Sequence, residues 1–237
     1  MPPLSKFSIT DTLQGMRVAF EKDRALVIRI TLLFAALNAV TGLLDLTGPA
    51  GIAISIGFLV LFGAMYEGLM TALVCLPGKA EGMAELWRTV RPVLGIMIWV
   101  ALVYAIAVFA GMLALIVPGL MILTIWSVSG QVVVVERAGL ATAFRRSAEL
   151  VRGNGFAVFG FLLVVGIIAL TISLLAILVA RPLGTGVVGN LVTPFLSNLF
   201  SAPFYALGLA ALYNELTGRG VNPESLPPGP DPPDPNP

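Results

Sequence analysis

Six stretches of about 20 apolar residues, separated by short polar or Pro/Gly segments, leave this chain few folds to choose from. They run from Ala25 to Leu46, Gly51 to Leu76, Val93 to Val117, Leu120 to Val135, Phe156 to Ala180 and Asn190 to Tyr213. Each meets or approaches the length that crosses the hydrocarbon of a bilayer as a helix, the fourth being the shortest and able to extend back through the turn before it. Segments such as Ile172 to Val179 are apolar nearly throughout, whereas the strand of a membrane barrel alternates with period two. Composition agrees. Only 11% of residues are charged, against roughly 25% in a soluble domain whose surface must be wetted. A soluble enzyme is thereby excluded. The chain has no His and one Cys, which removes the commonest general base and any cysteine-based zinc site. A net charge of +1 argues against a nucleic-acid partner, since phosphate binding needs a clustered basic excess. No cofactor or metal is expected.

The breaks between spans alternate in length. Thr47-Gly48-Pro49 and Pro118-Gly119 are tight, while Pro77 to Pro92 and Glu136 to Gly155 are longer. Thirteen of the 14 Lys and Arg residues fall before span one, just inside it, in the two longer connections, or after span six. Only Arg181 falls on the other side. This positive-inside bias places both termini and both long connections in the cytoplasm, with span one expected to act as an uncleaved anchor. A multi-pass protein of a bacterial cytoplasmic membrane is expected.

The cytoplasmic segments carry helical periodicity of their own. Met83, Leu86, Trp87 and Val90 line one face of a helix near 80–91, and Leu140, Ala143, Phe144, Ser147 and Val151 line one face near 139–152. Ile9, Leu13, Met16 and Phe20 repeat the pattern within 1–24, with Ser8 and Asp11 as its cap. Such helices suit the headgroup level of a membrane. The expected fold is therefore all-α: a six-helix transmembrane bundle over 25–216, built from three helical hairpins, each preceded by a cytoplasmic amphipathic helix. The internal repeat rests on this plan more than on residue identity. Residues 217–237 hold a Pro-rich tail, with eight prolines from Pro223 onward, expected to be disordered. The tail is read as a soluble spacer, with a groove-binding protein partner as the alternative.

Four segments carry a resemblance. Ser8-Ile9-Thr10-Asp11, Val117-Pro118-Gly119-Leu120-Met121, the run from Ala143 to Asn154 containing Arg145-Arg146-Ser147, and Leu196-Ser197-Asn198-Leu199 follow one another in a familiar order. In order and texture they resemble the YciC-like family of uncharacterised bacterial inner-membrane proteins. The Arg-Arg-Ser run also resembles the membrane domain of glycerophosphodiester phosphodiesterases, although the catalytic histidines of that enzyme have no counterpart here. The resemblance implies a six-helix membrane protein used as anchor or scaffold, and it supplies no active-site residues.

Polar groups at membrane depth are the remaining signal. A charge there costs about 2.5–3.5 kcal/mol on insertion scales, so Glu67 in span two calls for a partner or a role. Arg29, one turn inside span one, is the expected partner. The pair reads either as a packing salt bridge or as a proton or cation site. The salt bridge is favoured, because one carboxylate without acidic or His neighbours makes a poor relay. Asn38, Gln131 and Asn198 are expected to hydrogen-bond across helices. A broken helix at Pro182, Pro194 or Pro203 would mark a cavity, but Pro182 ending span five and Pro194 opening span six explains those two prolines more simply. Arg88, Arg91, Arg145, Arg146 and Arg152 are placed to meet anionic lipid headgroups. The favoured function is a non-enzymatic membrane scaffold, anchor or assembly partner, with no catalytic residues. The alternative is a transporter or channel-like protein for a small or lipidic solute, with Glu67 near its path.

Overall fold

A computed structural model describes residues 9–41, 48–76, 82–184 and 186–218. The Pro-rich tail, Ser8 and the start of the first tight break therefore lie outside the described residues. The described chain is helical, with no strand. In order, the helices are α1 (Ile9–Lys22), α2 (Arg24–Thr41), α3 (Gly48–Cys75), α4 (Met83–Val90), α5 (Leu94–Ala114), α6 (Ile116–Ile125), α7 (Ser129–Glu136), α8 (Leu140–Val151), α9 (Gly155–Ala180) and α10 (Val187–Leu216). Among the described residues, six helical segments are long and apolar enough to cross a membrane, with α4–α5 and α6–α7 each counted as one. In the most apolar stretch of α9 only 11% of residues are buried within the protein. Water would not tolerate that surface, but hydrocarbon does.

α10 is the organising element. It packs against α9, α2, α3 and α1, while α3 also meets α5 and α7. Val132 and Val133 of α7, Phe144 of α8, Phe161 of α9 and Leu212 and Tyr213 of α10 are all buried and belong to one apolar core. On α4, Leu86 and Val90 are buried while Trp87 is exposed; on α8, Ala143, Phe144, Ser147 and Val151 are buried.

Three boundaries differ from the sequence expectation. The reversal between the third and fourth spans falls at Leu115, which is extended (φ −163°, ψ 140°), and not at Pro118-Gly119. Pro118 is the third residue of α6, where a backbone N–H has no intrahelical partner and its loss costs nothing. Gly119 serves packing: a Cβ there would lie 2.7 Å from the Met112 backbone nitrogen, and one at Gly111 would lie 2.9 Å from Gly119 Cα. Pro194 does not open span six, because α10 begins at Val187 and contains both Pro194 and Pro203. Finally, the fourth span is not one helix. It stops at Ile125 and resumes at Ser129, through Trp126 and Val128 in conformations outside the helical region.

That break is held by α8. Ser147 Oγ donates to the Ile125 carbonyl at 2.9 Å and accepts from the Val128 N–H at 3.3 Å. One hydroxyl thus serves two of the backbone groups that the break frees. Phe144, three residues earlier on the same helix, packs its ring against Trp126 at a centroid distance of 4.4 Å.

Candidate functional site

The restart of the fourth span sets α7 beside Glu67. Gly130 is the second residue of α7, and a Cβ there would lie 2.5 Å from Glu67 Oε1. Only glycine admits the carboxylate this closely. Gln131, fully buried, donates from Nε2 to the same oxygen at 3.0 Å. The first turn of a helix carries unpaired N–H groups and a positive partial charge, so it favours a carboxylate at this position. Eight residues separate Glu67 from Cys75 at the end of α3, about 12 Å along the axis.

The ion pair expected between Arg29 and Glu67 is not formed. Arg29 is exposed on α2, and among the described residues no ion pair involves either group. The reason is which helix lies beside Glu67. α3 packs against α7 as well as α2, and the face of α3 bearing Glu67 meets α7. What α2 gives α3 is a different contact. Thr31 and Tyr66 share a hydrogen bond at 3.1 Å, and Phe34 stacks on Tyr66 at 4.4 Å.

Glu67 opens onto space. A cavity of about 580 Å³ is bounded by α2, α3, α5, α9 and α10, with Glu67, Tyr104 and Tyr205 in its wall. Its remaining polar lining comes from Tyr66, Ser173, Asn198 and Ser201, and no Lys or Arg contributes. A smaller cavity of about 100 Å³ shares Glu67, Ala101, Tyr104 and Tyr205 with the first, and extends to Ser127 and Ser129 at the break. Ser127 is 7% exposed and its hydroxyl has no hydrogen-bond partner among the described residues; the side-chain oxygen of Gln131 is likewise buried and without a partner among them. Tyr104 donates to the Leu123 carbonyl at 3.1 Å, which fixes its ring, whereas Tyr205 is 43% exposed.

The other polar candidates are arranged differently. Asn38 and Asn198 do not reach across helices. Each donates within its own helix, to the carbonyls of Phe34 (3.1 Å) and Pro194 (2.8 Å). A short amide finds the carbonyl one turn back more readily than a distant helix. Cys75 is buried and its thiol faces the Ala210 carbonyl at 3.6 Å. Arg88, Arg91, Arg145 and Arg152 are exposed. Arg146 is half-buried and held by Glu136 at 3.2 Å, a carboxylate that also accepts from the Tyr213 hydroxyl at 3.0 Å. Glu149 lies 3.9 Å from Arg145 and 3.7 Å from Arg146.

Sequence reasoning missed Tyr104, Tyr205, Gly130 and the break itself. Two signals were present. Three of the four tyrosines sit well inside apolar stretches, whereas membrane tyrosines favour the two interfaces. The Ser127-Val128-Ser129-Gly130 sequence also places Ser beside Gly, a recognised cause of sharp bends in helices. No family model, curated protein or solved structure matches the chain.

Proposed function

We propose that this is a multi-pass membrane protein that binds a small amphiphilic solute in its interior, as a transporter or channel-like protein, with Glu67 as the polar end of the site. One observation carries the reading. Glu67 has no basic partner among the described residues and lines a cavity of about 580 Å³, a volume within the usual range for small-molecule sites. An interrupted helix at membrane depth supports it further, since irregular backbone there is tolerated where it lines a cavity or is buried in protein. The proposal involves no catalytic step.

The test uses Glu67→Cys in a Cys75→Ser background on intact membranes, with Arg88→Cys as a reference at the cytoplasmic surface. Labelling of position 67 by a water-soluble thiol reagent is the expected result. A reactive position 88 with an inert position 67 would leave the bundle dry and the proposal without its site.

The basic helices support a second role, on the same molecule. We propose that α4 and α8 lie at the cytoplasmic headgroups, with both termini cytoplasmic and the long helices arranged as three hairpins. Arg88, Arg91, Arg145 and Arg152 are exposed, and each such contact adds about 1 kcal/mol on anionic lipid. Arg146 contributes less, being held by Glu136. Membership of the YciC-like family, and an anchoring or assembly role with a protein partner at the Pro-rich tail, belong to this second reading.

A further inference from the structure

We infer that the cavity takes a monovalent organic cation, an ammonium group on an apolar body, with the charge at Glu67 beside Tyr104 and Tyr205. The inference rests on the solute-binding reading above and specifies the chemistry of its ligand. Three features of the site converge on it. Among the described residues, Glu67 is the only carboxylate in the lining of either cavity and no Lys or Arg joins it, so any charge the site carries is negative. A phosphate or carboxylate ligand would meet repulsion there with nothing to offset it.

Aromatic rings are the second feature. Tyr104 and Tyr205 border both cavities together with Glu67, and Tyr66 and Phe34 line the larger one. Ring faces attract cations, and a cage of aromatic rings is the recurring solution for alkylated ammonium groups. A divalent metal would want six to eight hard oxygen ligands, and among the described residues no group of three or more acidic, Cys or His side chains converges. The third feature is an orphaned polar atom. Ser127 lines the smaller cavity, and its Oγ has no hydrogen-bond partner among the described residues. The lone pairs of that oxygen attract an ammonium group whether or not the group carries an N–H. The rest of the wall is aliphatic, from Leu59, Val60, Ala101, Ala169 and Leu170, and suits the apolar body of such a ligand.

The test compares benzyltrimethylammonium with neopentylbenzene, its neutral carbon isostere, by titration calorimetry on the full chain in nanodiscs of zwitterionic lipid. The cation is expected to bind at least tenfold more tightly than the isostere. Glu67→Gln preserves size and should abolish that preference while leaving the isostere's affinity unchanged. Tyr205→Leu keeps the carboxylate and should reduce the preference several-fold, which serves if the first variant does not fold. Equal binding of cation and isostere to the wild type would overturn the inference and leave the solute-binding reading intact. Binding of neither would overturn both. Tighter binding of benzenesulfonate than of the cation would contradict the charge assignment outright.

Discussion

Glu67 is the residue on which most depends, and its surroundings separate two expectations cleanly. A carboxylate sealed by Arg29 would make Arg29 costly to remove, by about 3–5 kcal/mol for a broken buried pair. Arg29 is exposed and unpaired with Glu67, so Arg29→Ala should change stability by less than about 0.5 kcal/mol. Thermal unfolding in a fixed detergent measures this, and a loss of several degrees would restore the salt bridge. Gly130 is the sensitive neighbour. Gly130→Ala puts a methyl 2.5 Å from Glu67 Oε1, so the carboxylate must swing away from Gln131, and the lost hydrogen bond should cost about 1–2 kcal/mol. If the clash is with the carboxylate, Glu67→Ala combined with Gly130→Ala should cost clearly less than the sum of the two single changes. Strict additivity would show that α7 and α3 do not meet there.

At the scale of elements, the division of the fourth span into α6 and α7 depends on α8. Ser147 donates to Ile125 and accepts from Val128, so Ser147→Ala leaves a buried N–H and a carbonyl without that partner. A loss of about 1–3 kcal/mol is expected, together with a shift in Trp126 emission, because Phe144 holds that ring from the same helix. An unchanged melting curve would mean that the break supports itself. The Arg145-Arg146-Ser147 run was legible as the most distinctive segment of the chain, but what its Ser does was not. In a sequence Ser147 is one residue of an amphipathic stripe, and its partners are backbone groups about 20 positions away. Backbone groups carry no sequence signature. The same limit applies to Leu115, where an apolar residue takes the extended conformation and the Pro and Gly that looked like the turn follow it inside α6.

For the whole molecule, hydropathy identifies the helices long enough to cross a membrane, because backbone in hydrocarbon must satisfy itself within the helix. Neighbour relations are another matter. In a soluble bundle the apolar stripe of a helix points at its partners. In hydrocarbon every face is apolar, so periodicity no longer says which helices touch. Pairing Arg29 with Glu67 followed chain order, whereas α10 packs against α2 and α3 alike and α7 takes the face of α3 that carries the carboxylate. The cavity is a consequence of that arrangement. Five helices border it, and of its polar groups only Glu67 and Asn198 stand out in a sequence read one span at a time.

The most direct measurement modifies the native carboxyl group in place. Membranes containing the unaltered protein are treated with a hydrophobic carbodiimide, and the adduct is located by peptide mass spectrometry. An adduct on Glu67, suppressed by benzyltrimethylammonium and absent in Glu67→Gln, is the expected result for a carboxylate that faces an open cavity. An unmodified Glu67 in a sample where Glu136 or Glu149 reacts would show a carboxylate sealed in the bundle, and would contradict the cavity as the site of function.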